Sequence, residues 1–318
     1  MQKKRPGFLF VGTGRAGSNW VFEILREHPE VFLPANKGTL FFNKFYKYGV
    51  EWYESFFDGM DGELISGEVC EEYLADEEAI KRIRAYREDM LLICCFRNPY
   101  ERAISHWRFF ERNGLEKPTI SEQGRGRPDL FYLGYYATQL CQLRRLFSEK
   151  QVLVYLYDDL VDSPRRVARA IYEFIGVDAD FIPPSLSHRV NVAHKPRLKP
   201  LARAVHNIHM RSWGGSRIVS NFVGRVKRIR PLRRLVKSVL YKSERAQDNW
   251  HDLVSEFPDE IQARFEDEID RLEILLNRDL SHWRAKDGGA ERSRGRPVAD
   301  ISNISTSGIL RGASKNAV

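Results

Sequence analysis

Apolar residues in the first 175 positions fall into two rhythms. Short unbroken runs at 7–12 (GFLFVG), 64–69 (LISGEV), 90–96 (MLLICCF) and 151–156 (QVLVYL) predict strands covered on both faces. Between them the apolar residues return every third or fourth position, which predicts helices over 17–28, 77–86, 99–112, 135–148 and 163–175. Asp162-Ser163-Pro164 opens the last of these with a cap and a proline at the first helical position, and Gly176 stops it. Strands alternating with helices predict an α/β fold with three layers, α/β/α, around a central parallel sheet.

The rhythm then changes. From Arg189 to Lys242 fifteen Lys and Arg occur without one Asp or Glu, and Pro196, Pro200, Gly214-Gly215 and Pro231 break the stretch into short helical pieces. Val219, Phe222, Val226 and Leu235 interleave with those cations, a pattern suited to helices lying on an anionic membrane. An acidic helix follows over 258–280, with Ile261, Phe265, Ile269, Leu272, Ile274 and Leu275 as its apolar stripe. Beyond Trp283 the chain is rich in Gly, Ser and Arg. These shifts predict one domain over 1–284, carrying the basic segment 189–242, and a disordered tail over 285–318.

Composition narrows the chemistry. At 42% hydrophobic and 12% aromatic residues, the chain has ample material for a core. A formal charge of +8 favours an anionic partner, yet no zinc spacing or aromatic ribonucleoprotein signature supports nucleic acid, which is not an expected partner. Cys70, Cys94, Cys95 and Cys141 show no CxxC spacing, so neither a zinc site nor a disulfide framework is suggested. No run approaches the roughly 20 apolar residues of a membrane span. The opening MQKKRPG lacks a cleavable apolar region, so the expected location is the cytoplasm, with peripheral contact to the inner membrane through 189–242.

Gly12-Thr13-Gly14-Arg15-Ala16-Gly17 stands between the first predicted strand and helix. A dinucleotide fold with GxGxxG needs an acidic residue about 20 positions on to hold a ribose hydroxyl. Residues 31–37 read VFLPANK, without a carboxylate. A nucleoside-triphosphate loop shares the Gly12-x4-Gly17 spacing, but its lysine is replaced by Ser18. The strand that should end in a magnesium-holding Asp runs instead into Arg97, a cation that repels magnesium and attracts phosphate. The third reading is metal-free transfer of an anionic group, with arginines carrying the charge stabilisation.

RAGSNW (15–20) and FRNPYERAISHW (96–107) together resemble the two signature segments of sulfotransferases that use 3′-phosphoadenosine 5′-phosphosulfate, PAPS. EHPEVFLPANKGTLFF (27–42), GEVCEEYL (67–74), YLYDDLVDSPRRVARAIYEFIGVD (155–178), NVAHKPRLKPLAR (191–203) and LLNRDLSHW (275–283) extend the likeness to bacterial members related to heparan and other carbohydrate sulfotransferases. The resemblance implies a P-loop-like fold and PAPS as donor, with no metal. It further implies a hydroxyl or amine of a carbohydrate or glycolipid as acceptor. It puts Arg15, Ala16, Gly17, Ser18, Asn19 and Trp20 around the 5′-phosphosulfate, where a helix N-terminus favours an anion. It puts Arg97 and Ser105 at the 3′-phosphate, with Lys195 and Arg197 in a late basic loop closing over it.

Heparan-type relatives carry a glutamate as base shortly before the Phe pair, and here that position is Gly38. Lys37 is therefore expected on the leaving-group side and Glu68 on the acceptor side, with Glu71, Glu72 and His106 as alternatives for the base.

Overall fold

The computed structural model describes residues 5–112, 119–186, 194–196, 241–243 and 250–285. Strands β1 (Phe8–Gly12), β2 (Val31–Phe32), β3 (Ile65–Val69), β4 (Leu91–Phe96) and β5 (Val152–Leu156) form one sheet in the order β2-β3-β1-β4-β5. Every pairing in it is parallel. The helices are α1 (Ser18–Glu27), α2 (Val50–Glu54), α3 (Glu77–Tyr86), α4 (Pro99–Arg112), α5 (Ile120–Gly126), α6 (Asp129–Tyr132), α7 (Tyr136–Leu146), α8 (Tyr157–Asp162), α9 (Pro164–Ile175) and α10 (Asp259–Leu276).

Alternation along the strands builds the three expected layers. Phe8, Phe10, Ile93, Cys95, Leu153 and Tyr155 pack with α1 and α9 on one face. Leu9, Val11, Leu92, Cys94 and Phe96 pack with α3, α7 and α10 on the other. Both faces are dry, which is why the strands read as continuous apolar runs. Cys94 and Cys95 point to opposite faces as small buried thiols. A third cluster joins Tyr100, Ile104 and Trp107 of α4 to Phe131, Phe257 and Phe265.

The four predicted strands and six predicted helices lie where periodicity puts them, with ends differing by a few residues. Strand β2 and helices α2, α5, α6 and α8 are additional; all are too short to show a period. Asp162 closes α8 rather than capping α9, and Ser163 makes no side-chain cap bond, although Pro164 starts α9 and Gly176 ends it as expected. Ile274 is 81% exposed, contrary to its expected place in the α10 stripe. At about 100° per residue it stands roughly 200° round the helix from buried Leu272.

Short strands β6 (His194–Pro196) and β7 (Tyr241–Ser243) pair antiparallel, with Lys195 opposite Lys242. They join the two ends of the basic segment, and the backbone of β6 runs beside α4. The remainder of 189–242, with Arg197, and the tail from 286 onward lie outside the described residues. Among the described residues no helix is long and apolar enough to cross a membrane.

Close packing between β1 and β3 gives a test of this core. A Cβ added at Gly67 would lie 2.3 Å from the ring of fully buried Phe8. Gly67→Ala is expected to cost about 1–3 kcal/mol through overpacking, read as a lower midpoint in urea unfolding; an unchanged midpoint would show that the ring yields freely.

Candidate active site

Sheet order brings two strand-to-helix loops to one edge. β1 and β4 are neighbours and parallel, so the loops that follow them leave the sheet side by side at its carboxyl end, where open α/β sheets hold ligands. Thr13 N–H donates to the Cys95 carbonyl at 3.0 Å, and Thr13 Oγ1 donates to the Leu133 carbonyl at 3.1 Å, fixing the start of the first loop. That loop enters α1 through Gly17, whose φ of 87° suits glycine and whose missing Cβ leaves room for Leu160, 2.8 Å from where it would stand. Trp20 and Val21 N–H return to the Gly17 carbonyl at 2.8 and 3.2 Å. The amides of Ser18 and Asn19 ahead of them have no intrahelical acceptor and carry the positive end of the helix dipole.

Lys37 reaches this helix start from the segment after β2. Gly38, with φ of 71°, turns the chain so that Lys37 faces α1 while Thr39 faces the sheet. The Lys37 ammonium donates to Ser18 Oγ at 2.8 Å, Asn19 Oδ1 at 3.1 Å and Glu71 Oε1 at 2.7 Å. All three of its N–H donors are thereby engaged.

The second loop converges on the first. Arg97, at the carboxyl end of β4, donates through Nη1 to the Arg15 carbonyl at 3.2 Å. Its Nε and Nη2 bind Glu101 Oε2 at 3.0 and 2.8 Å, and its guanidinium lies 4.6 Å from the centre of the Tyr157 ring. Arg15 in turn donates through Nε to Ser105 Oγ at 3.4 Å and lies over the Phe109 ring of α4. Hydrogen bonds thus join Arg15, Arg97 and Ser105 into one group and Ser18, Asn19 and Lys37 into another, and the short run of chain from Arg15 to Ser18 makes the two one linked set.

The carboxylates divide sharply. Glu68 is 1% exposed; it accepts from Thr39 N–H, from Tyr53 OH at 2.9 Å and from Tyr73 OH at 3.1 Å. Burial raises its pKa, and those hydrogen bonds offset part of the rise. Glu68, expected on the acceptor side, thus has its oxygens committed inside the core, where they anchor the segment carrying Lys37. Glu71, three residues later and 31% exposed, sits on Lys37 instead. Burial works against its charge, but the Lys37 ammonium, its hydrogen bond and nearby Arg15 together hold the carboxyl below the usual range. Glu72 is bound to Lys44 at the surface.

Other expected residues take different places. Trp20 buries its ring in the α1–α9 layer and donates through Nε1 to the Leu186 carbonyl at 3.2 Å; the Ala16 methyl is also fully buried. Neither side chain faces the linked set. His106 stacks on Phe110 beside Arg102. Burial, then the charges of Arg102, Arg15 and Arg127, hold its pKa far below the ordinary value and keep it neutral. Arg102 is fully buried, donating to the Leu130 carbonyl, and joins α4 to α6. Burial lowers its pKa to about 10, which leaves it charged at neutral pH. Thr13 and Tyr157 are contributors that sequence reasoning passed over; no spacing rule marks either. Among the described residues no group of His, Cys, Asp and Glu is arranged to hold a metal ion.

Three cationic side chains and a helix start around two adjacent strand ends suit a ligand with two separate anionic groups. The family described as "Sulfotransferase domain" matches residues 5–195. Human heparan sulfate glucosamine 3-O-sulfotransferase 6 is 30% identical over 185 residues, 55% of this chain and 54% of its own. A membrane-associated sulfotransferase of Dictyostelium discoideum is 27% identical over 107 residues, 33% of this chain and 23% of its own. The chain spans about half the length of the curated heparan-type relatives it matches. A sulfotransferase structure from Alicyclobacillus acidocaldarius superposes with a TM-score of 0.60 at 23% identity, covering 88% of this chain and 98% of that one, and so shares the fold. With the matched residues amounting to more than half of the chain and carrying both converging loops, the chain belongs to the sulfotransferase domain family.

Proposed function

We propose that this chain moves a sulfuryl group from PAPS to a hydroxyl, or an amine, of a carbohydrate or glycolipid. The observation that carries this reading is the meeting of the two loops, Arg97 Nη1 on the Arg15 carbonyl and Arg15 Nε on Ser105 Oγ. In this reading the first-turn amides of α1, Ser18, Asn19 and Lys37 hold the 5′ end of the donor, and Arg97 and Ser105 its 3′-phosphate. Lys195, on β6 beside α4, is the nearest described part of the late basic loop. The donor supplies an activated sulfuryl group. Lys37 then stabilises charge on the departing phosphate oxygen, as positioned cations do in phosphoryl transfer. A carbohydrate acceptor is supported by the printed activity of the heparan-type relatives.

Calorimetry with 3′-phosphoadenosine 5′-phosphate, PAP, tests the donor half without needing the acceptor. Arg97→Ala is expected to lose a charge-assisted hydrogen bond worth about 1.5–3 kcal/mol, roughly tenfold to hundredfold in Kd; equal affinity in the two proteins would sink the assignment. Lys37→Ala is expected to lower kcat by roughly 10²–10³ with a smaller change in PAP affinity, and turnover with PAPS is expected to persist in EDTA. A kinase would instead need ATP and magnesium.

We further propose that the basic segment 189–242, most of which lies outside the described residues, rests on an anionic membrane face on the cytoplasmic side. Its charge run supports this, as does the membrane-associated Dictyostelium relative. Co-sedimentation is expected with vesicles containing phosphatidylserine and not with pure phosphatidylcholine; equal partitioning removes the proposal.

A further inference from the structure

Transfer to an acceptor O–H leaves a proton that must go somewhere, and among the described residues the glutamates and the histidine at the linked set are the groups to weigh. Glu68 is closed off in the core under three donors. His106 is walled in by Phe110 and Arg102. Glu72 faces outward on Lys44. Glu101 is chelated by two nitrogens of Arg97, on the side of the second loop. Glu71 alone is both partly exposed and in contact with Lys37, the cation at the start of α1. It also lies against the first loop: a Cβ on Gly14 would stand 3.5 Å from its Cγ.

From this placement we infer that Glu71 is the catalytic base of the transfer step. The inference rests on the PAPS reading above. The acceptor O–H proton passes to a carboxylate oxygen of Glu71 as the acceptor oxygen bonds to sulfur. The bond from sulfur to the bridging oxygen breaks, and its electron pair departs on the 5′-phosphate of PAP beside the Lys37 ammonium. Lys37 and Glu71 thus serve opposite sides of one sulfur atom from a single ion pair. Because all three Lys37 donors are engaged, an anion arriving at the start of α1 must draw at least one of them away. The charged partner most affected is Glu71: losing the ammonium's field raises its proton affinity once the donor is in place. Donor binding and arming of the base are coupled by this exchange.

Glu71→Gln separates the roles, since the amide oxygen still accepts from Lys37 but the group takes no proton at neutral pH. Turnover is read with radiolabelled PAPS as label passed to an N-sulfated heparan oligosaccharide and, in parallel, to water. PAP binding is read by calorimetry. The expected result is a kcat lower by roughly 10²–10⁴, PAP affinity kept or increased, and loss of the acid limb of the wild-type kcat–pH profile, while Glu72→Gln stays near wild type. A Glu71→Gln protein that binds PAP and keeps kcat within about threefold of wild type overturns the inference, as does one whose acid limb is unchanged. A wild type that neither binds PAP nor releases label overturns the donor reading itself, a distinct result.

Discussion

The parallel pairing of β1 with β4 is the constraint on which the rest depends. Parallel neighbours end at the same edge of a sheet, so chain segments about 80 residues apart begin their loops a strand's width from each other. The bond from Thr13 N–H to the Cys95 carbonyl extends that pairing just past β1, and the contact of Arg97 with the Arg15 carbonyl is its continuation in side-chain form. Neither arginine could reach the other's loop if a strand were inserted between them. Dry packing on both faces of the sheet holds this register: slipping by one residue would exchange the Phe8–Phe10 face with the Leu9–Val11 face.

Charge at the site is arranged as exchangeable pairs. Arg97 is held by Glu101 and Lys37 by Glu71, so the cations keep their geometry without a ligand. Each pair is only partly buried, which keeps the cost of separating it modest compared with a fully buried pair. In the proposed reading an anionic ligand replaces a carboxylate, rather than water, as partner to a cation already in position. This is preorganisation in the sense that matters for transfer: the charges are oriented before the reaction needs them.

How legible this was in the sequence depended on whether local pattern or tertiary contact decided each feature. Strands such as 90–96 and helices such as 163–175 announce themselves by period and by proline or glycine at their ends. That the two loops meet was legible, because RAGSNW and FRNPYERAISHW each follow a predicted strand; the bond from Arg15 to Ser105 was not, since the two were expected at opposite ends of the donor. The choice among Glu68, Glu71 and Glu72 was not. GEVCEE spans the end of a strand and the turn after it, and period two stops deciding orientation at Val69. Which glutamate goes inward is settled by Tyr53, Tyr73 and Thr39, residues contributed by three separate segments. Trp20 differs for the opposite reason: Ser18 and Asn19 meet Lys37, but one more step along α1 rotates Trp20 by about 100° into the core.

Two glutamates three residues apart therefore hold different positions because their surroundings differ. Glu68 lies under an amide and two hydroxyls in a dry core, where burial raises its pKa and its hydrogen bonds fix Thr39. Thr39 is two residues from Lys37 across the turn at Gly38, so the buried carboxylate sets the reach of the lysine from behind. Glu71 meets the same lysine from the front, with solvent on one side and a full positive charge on the other. One ammonium is thus positioned through the backbone by one acid and held electrostatically by a second, and of the two acids the second is the one open to solvent. Environment alone thus divides two like groups into a buried anchor and a partly exposed counter-charge, the kind of separation by which one side-chain type takes on different roles.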